Sequence, residues 1–217
     1  MARTRIKICG ITDEEGLFGA CDAGADAVGF VFYSKSRRFI EPDEAFDLIS
    51  FLPPFVSSVG LFVDASVERF SDIEEVCPTD RSQLHGNEPE DVVRQCGPGV
   101  IKAVRFDGAT IERELKRWSA VEEVDAILVD GSSGGEGVAF EWAELAKVKG
   151  VCTKPLIIAG GVTAENVGEA VRVVRPWAVD VSSGVESGPG VKDRGLMSAF
   201  CEAVRRGGGG GGERGGR

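Results

Sequence analysis

Any chemistry in this chain would fall to a few polar residues that close apolar runs. The first is Cys9, which ends Ile6-Lys7-Ile8-Cys9 just before Gly10. Side chains alternate along an extended segment, so Lys7 and Cys9 share one face and the two isoleucines the other. A thiol beside a cation ionises more readily, which draws its pKa toward neutrality and makes Cys9 a candidate base. The same position also suits a small buried residue with no chemistry. Asp130 closes Ala126-Ile127-Leu128-Val129 and precedes a glycine-rich stretch, SSGGEG after Gly131. A carboxyl there can hold a proton and act as an acid, or it can cap loop N–H groups.

Other polar positions offer binding rather than proton transfer. Gly160 and Gly161 follow Ile158-Ala159, and Ser182, Ser183 and Gly184 follow Asp180-Val181. Glycine leaves backbone N–H groups bare, and two such loops side by side would suit a phosphate, although either alone would pass for a turn. The run Ser34–Phe39 is basic on an otherwise acidic chain. This basic loop could clamp an anionic group such as a carboxylate, which arginine can bind bidentately, or the run could be a solvated face. His85, in Gln83-Leu84-His85-Gly86, is the only histidine. With no nucleophile beside it in a local motif, it reads as structural or as a substrate contact.

These residues need elements to hold them. Short Val- and Ile-rich runs suit buried parallel strands at 6–9, 27–32, 59–63, 82–84, 100–105, 126–130, 156–159 and 179–182. Helical patterns follow each, at 14–23, 42–52, 67–76, 89–96, 110–118, 140–147, 164–174 and 191–205. Thr12/Asp13 and Thr163 are candidate N-caps, and Gly24 is a candidate stop. Eight βα units predict a parallel sheet with right-handed crossovers, closed as a (β/α)8 barrel, with an open doubly wound sheet as the alternative. The barrel would occupy residues 1–206 as one domain. The glycine-rich 207–217 would be a disordered tail, since it has nothing to bury.

Composition excludes several roles. Hydrophobic residues make up 42% and charged ones 28%, as in ordinary folded domains rather than disordered chains. The formal net charge of −10 argues against a nucleic-acid binder, yet leaves room for an anionic small ligand met by local groups. The six cysteines form no CxxC pair and no zinc spacing, so no structural metal is expected. MARTRIKICG runs straight into a strand without a signal peptide, and no apolar run approaches the roughly 20 residues of a membrane span. A cytoplasmic chain with reduced cysteines, either monomer or homodimer, is the expectation.

From Lys7 to Arg205 the chain resembles the phosphoribosylanthranilate isomerases. The segments that carry this are KICGIT (7–12), GADAVGFVF (24–32), SKSRRFI (34–40), LPPFV (52–56), QLHG (83–86), VIKAVR (100–105), AILVDG (126–131), GEGVAFEW (135–142), IAGGVTAENV (158–167) and VDVSSGVESGPGVKD (179–193). The resemblance implies an Amadori rearrangement of N-(5-phosphoribosyl)anthranilate to 1-(2-carboxyphenylamino)-1-deoxyribulose 5-phosphate, a step of tryptophan biosynthesis. It implies Cys9 as general base, Asp130 as general acid and no cofactor or metal. Arg38 would meet the anthranilate carboxylate, and Gly160, Gly161, Ser182, Ser183 and Gly184 the phosphate. Lys7, Gln83, His85 and Asp180 would contact the rest of this phosphorylated sugar substrate.

The chain departs from the family pattern in places. The family often has proline where Ser34 and Arg37 stand, and Thr or Ser where Gly131 stands. Glu136, Val138 and Glu141 are further departures, and none of these removes a catalytic group. A related barrel isomerase of histidine biosynthesis uses aspartate in place of Cys9, so Cys9 favours the smaller substrate over that one and over dual specificity. A non-catalytic binding barrel would have lost the acid or the base, and both positions are filled.

Overall fold

The computed structural model describes residues 3–131 and 142–208. Eight parallel strands close into a barrel in sequence order: β1 (Arg5–Cys9), β2 (Ala27–Val31), β3 (Ser57–Phe62), β4 (Arg81–Leu84), β5 (Val100–Arg105), β6 (Val124–Asp130), β7 (Leu156–Ala159) and β8 (Ala178–Val181), with β8 pairing back to β1. Helices follow each strand: α1 (Glu14–Ala23), α2 (Pro42–Ile49), α3 (Val67–Val76), α4 (Glu90–Gln95), α5 (Ile111–Ser119), α6 (Trp142–Val148), α7 (Val167–Val174) and α8 (Arg194–Gly208). The closed barrel, rather than the open sheet, is the architecture. Among the described residues no helix is long and apolar enough to cross a membrane.

Alternation along the strands makes two apolar layers. Ile6, Ile8, Val28 and Phe30 pack against the helices, while Val59, Ile101, Ala103, Ala126, Leu128, Ile157, Ala159 and Ala178 fill the barrel interior. The interior set is half alanine, as a narrow closed ring requires. Local signals set the helix ends. The Asp13 carboxylate accepts the Gly16 N–H at 2.7 Å to start α1, and Gly24, with φ +85°, ends it in the left-handed conformation that only glycine adopts at little cost.

Most element ends shift by a few residues, and three of the differences bear on the site or the tail. Val191–Lys192 does not open the last helix; it forms β10, which pairs antiparallel with β9 (Glu186–Gly188). The helix waits until Asp193, whose carboxylate accepts the Leu196 N–H at 2.8 Å. The seventh helix begins at Val167 and not Ala164, because Asn166 folds back to accept the Thr163 N–H at 2.8 Å, so Thr163 is not its cap. The tail does not start at Gly207. α8 runs through Gly208, and Gly207 is buried where any Cβ would meet the Gly168 backbone at 2.8 Å. The rest of the tail call, 209–217, lies outside the described residues. So do the start of the sixth helix call and the departures at 136, 138 and 141.

One inward departure from apolar packing stands out. Lys102 shares the helix-facing side of β5 with Val100 and Val104, yet is 3% exposed. Its ammonium donates to Glu88 Oε2 at 2.8 Å and to the carbonyls of Leu84, Gly86 and Ala103 at 2.9–3.2 Å. Glu88 Oε1 in turn accepts the N–H groups of Gly86 at 2.8 Å and Asp64 at 3.0 Å. Burial alone would raise the Glu88 pKa, but Lys102 and the backbone N–H groups of Glu88 and Asp64 bring it below the usual carboxylate range. The pair thus staples the loops after β3 and β4. Removing one partner leaves a buried, unpaired charge. Lys102→Ala should therefore lose about 3–5 kcal/mol of unfolding free energy in urea titrations. A loss under about 1 kcal/mol, the scale of a surface pair, would show that water reaches Glu88.

Candidate active site

A cavity of about 300 Å³ opens at the carboxyl ends of the strands. Its wall includes Cys9, Arg38, Gln83, His85, Asp130, Asp180, both residues of the Gly160-Gly161 turn, and Ser182, Ser183 and Gly184. Every residue singled out from sequence is on that wall except Lys7. Lys7 is buried beneath it at 4% exposure and donates to Asp180 Oδ1 at 2.9 Å. Burial opposes its charge most strongly, yet Asp180 and Cys9 together outweigh that and hold the ammonium pKa above its ordinary value.

Cys9 and Asp130 end β1 and β6, with β7 and β8 between them around the ring. The two groups therefore meet the cavity from separate sides. The cysteine environment differs from the expectation that Lys7 would lower its pKa. Burial raises the Cys9 pKa and outweighs Lys7, whose charge is already answered by Asp180; Asp180 itself adds to the rise, and Lys192 opposes it. At the other buried cysteines desolvation dominates, and only Cys201 has a cation, Arg205, working against it. Cys77, Cys96 and Cys201 sit in the helix-facing core, where burial pushes each up to about 11.

Room for the thiol comes from β2. Gly29 pairs with Cys9, and a Cβ there would lie 2.7 Å from Cys9 Sγ and 3.2 Å from Lys7 Cε. Gly10, with φ +83°, turns the chain away, and its N–H donates to the Gly29 carbonyl at 2.8 Å.

Asp130 Oδ2 lies 3.1 Å from His85 Nε2, and His85 Nδ1 lies 2.7 Å from Gln83 Nε2. The His85 backbone N–H continues the β3–β4 ladder by donating to the Phe62 carbonyl at 2.8 Å. On β7, the strand next to Asp130, the turn that follows Ala159 has Gly160 and Gly161 at positive φ, 83° and 66°. Asn166 Nδ2 donates to the Gly161 carbonyl at 2.8 Å, which pins that turn to the start of α7. Gly184 sits where a Cβ would be 2.2 Å from the Val162 carbonyl oxygen, so the two glycine loops can abut only without side chains.

Arg38 is held from the side of β8. Its Nε and Nη2 donate to Glu186 Oε1 at 2.6 Å and Oε2 at 2.9 Å. Lys192 donates to Glu186 Oε1 at 2.8 Å and to the Ser182 carbonyl at 3.1 Å, and Ser182 Oγ donates to the Cys9 carbonyl at 2.9 Å. One chain of polar contacts thus links the basic loop, the β8 loop and the end of β1.

This architecture has close counterparts. The sequence pattern of the N-(5'phosphoribosyl)anthranilate (PRA) isomerase family matches residues 6–203. The chain belongs to this family. It is 45% identical over 212 residues to an N-(5'-phosphoribosyl)anthranilate isomerase of Pseudomonas putida, covering 95% of this chain and 100% of that one. The crystal structure of phosphoribosyl anthranilate isomerase from Thermotoga maritima superposes with a TM-score of 0.84 at 40% identity, covering 93% of this chain and 98% of that one. A second isomerase structure, in complex with reduced 1-(o-carboxyphenylamino)-1-deoxyribulose 5-phosphate, gives a TM-score of 0.82 at 40% identity with the same coverage.

Several residues that shape this isomerase site had no role assigned from sequence: Gly29, Asn166, Glu186 and Lys192. Glu186 and Lys192 lie in the polar run after β8, where only the hairpin turn at Gly188-Pro189-Gly190 hinted that the segment doubles back. Asn166 and Gly29 act through contacts distant in sequence or through missing atoms, which spacing does not reveal.

Two outcomes follow from these contacts. Gly29→Ala should overpack the site and lower the unfolding free energy by about 1–3 kcal/mol in urea; an unchanged midpoint would mean that Cys9 Sγ moves aside at no cost. The second concerns acid. Burial works against the Glu186 charge, but hydrogen bonds from Arg38 and Lys192 hold its pKa at about 2, against an ordinary 4.5. A depressed folded pKa stabilises the protein above the unfolded value, and that contribution fades as pH falls from about 4.5 to about 2. At 1.36 kcal/mol per pH unit it amounts to about 3 kcal/mol. The difference in stability between wild type and Glu186→Gln should shrink across that window; a constant difference would remove Glu186 as its source.

Proposed function

We propose that this chain isomerises N-(5-phosphoribosyl)anthranilate to 1-(2-carboxyphenylamino)-1-deoxyribulose 5-phosphate, with Asp130 as general acid and Cys9 as general base. The observation that carries the assignment of roles is the placement of the Cys9 thiol and the Asp130 carboxyl at separate strand ends on the wall of a single small cavity, whose other carboxylate, Asp180, is paired with Lys7. Asp130 would give its proton to the ribose ring oxygen, and the C1–O bond would break to leave a Schiff base with the anthranilate nitrogen. Cys9, as thiolate, would take the proton from C2, and the electron pair would move to form the enolamine. Gaining a proton at C1 and losing one from the C2 hydroxyl then gives the ketone, so the net proton count is unchanged. The step demands one protonated and one deprotonated group together, which separate environments supply.

The rest of the wall suits the ends of that substrate. The Gly160-Gly161 turn with Ser182, Ser183 and Gly184 would hold the phosphate through backbone N–H and hydroxyl groups. Arg38 would meet the anthranilate carboxylate. Glu186 occupies its Nε and one bond from Nη2, and the guanidinium still has donors on Nη1. Asp180, braced by Lys7, would orient the substrate between the two ends. Gln83 and His85 line the side on which Asp130 stands.

Freshly generated phosphoribosylanthranilate, followed by loss of its fluorescence against spontaneous hydrolysis, tests this reading. Cys9→Ala and Asp130→Ala should each lower kcat by at least about a hundredfold while staying folded. The raised Cys9 pKa means that the thiolate fraction grows with pH, so wild-type kcat/KM should climb into the alkaline range and the residual activity of Cys9→Ala should not. Turnover near wild type in either alanine variant would remove that residue from its role.

A further inference from the structure

The contact between His85 and Asp130 has a direction, and the residue behind His85 sets it. We propose that Gln83 is a positioning residue that fixes His85 as the neutral tautomer protonated on Nε2, so that the imidazole always donates to Asp130. The proposal rests on the reading of Asp130 as general acid and adds the residue that keeps it one.

Gln83 is fully buried on β4, and its Nε2 lies 2.7 Å from His85 Nδ1. An amide nitrogen donates and cannot accept, so Nδ1 must offer its lone pair. A neutral imidazole then carries its proton on Nε2, 3.1 Å from Asp130 Oδ2, and donates it there. The acidic proton of Asp130 is left for its other oxygen. When that proton moves to the substrate, the Nε2–H bond becomes a bond to a carboxylate and strengthens, so it favours the state in which charge has developed.

The opposite arrangement would defeat the acid. Were the carboxamide turned, Oε1 would take a proton from Nδ1, and Nε2 would become an acceptor. Asp130 would then spend its own proton on the imidazole. Were the ring doubly protonated instead, it would pair with an Asp130 carboxylate that has no proton to give. The donor end of Gln83 facing Nδ1 disfavours both states.

A second observation points to what holds the carboxamide in place. Gln83 Oε1 is buried and has no hydrogen-bond partner among the described residues, while Gln83 itself forms part of the cavity wall. An orphaned buried acceptor is costly and is commonly met by a ligand. A hydroxyl of a bound polyol would donate to Oε1 and lock the amide with its nitrogen toward His85. Substrate binding would thereby reinforce the tautomer that the Gln83 amide already sets.

His85 is the only histidine in the chain, so its ring nitrogens give one set of signals. Long-range proton–nitrogen spectra of the untagged, 15N-histidine-labelled full chain at neutral pH read the tautomer directly. The expected result is a neutral ring protonated on Nε2. Gln83→Glu keeps an acceptor for the hydroxyl but removes the donor; it should move the proton to Nδ1 and lower kcat by roughly tenfold or more, with KM changing far less. A wild-type ring protonated on Nδ1 or on both nitrogens overturns the proposal whether or not the variant folds. So does a folded Gln83→Glu with the wild-type tautomer or wild-type kcat. Should wild type show no isomerase activity, the acid role of Asp130 and the catalytic half of the proposal fall together, and the spectrum still decides the tautomer on its own.

Discussion

Parallel strands closed into a ring have one consequence that everything else in this molecule uses. Each strand ends at the same rim, and its last inward side chain faces the same cavity as those of its neighbours. Cys9, Asp130 and Asp180 are far apart in sequence and share a wall only because β1, β6 and β8 belong to one closed barrel. The ring leaves little room inside, hence the alanines at 103, 126, 159 and 178. It also forces the glycines at 29 and 184, where a single Cβ would collide with Cys9 Sγ or the Val162 carbonyl. Tight closure is thus both what assembles the site and what restricts the residues around it.

Within that frame, buried charges do the positioning. Ion pairs taken out of water contribute little stability compared with apolar packing, because desolvation offsets their attraction. Here each one fixes something the site needs. Lys7 braces Asp180 on the wall, Lys102 and Glu88 bind the loop that carries His85, and Glu186 ties Arg38 and Lys192 to the β8 loop. Their geometric role explains their presence better than any energetic one, since Lys102 occupies a helix-facing position that an apolar residue would fill more cheaply.

Much of this was legible from the order of residues. Strand periodicity located all eight strands, and alternation correctly turned Lys7 and Cys9 inward and Ile6 and Ile8 outward. The polar strand ends picked out Cys9 and Asp130, and the glycine pairs marked the rim. What stayed hidden depends on contacts between segments distant in the chain. Apolar spacing carried the last helix back to Val191, because nothing local shows that Lys192 turns inward to Glu186. Likewise nothing near Gly29 in sequence says that a sulfur atom needs its missing side chain. Charge proximity misled as well: Lys7 lies beside Cys9 as expected, but its pairing with Asp180 depends on β8, 173 residues away.

That last point bears on how the proposed acid and base are kept apart. A base with a raised pKa is scarcer in its active form but stronger when formed, which suits abstraction of a weakly acidic carbon-bound proton. Burial gives Cys9 that character, and Lys7 and Lys192 limit the cost of the thiolate without removing it. Asp130 has a different neighbourhood, a polar chain that runs through His85 to Gln83. A lysine in place of His85 would hold the carboxylate ionised and idle. The two ends of the cavity thus differ in kind: a thiol whose ionisation is restrained by burial and eased by cations, and a carboxyl set against the polar chain of His85 and Gln83.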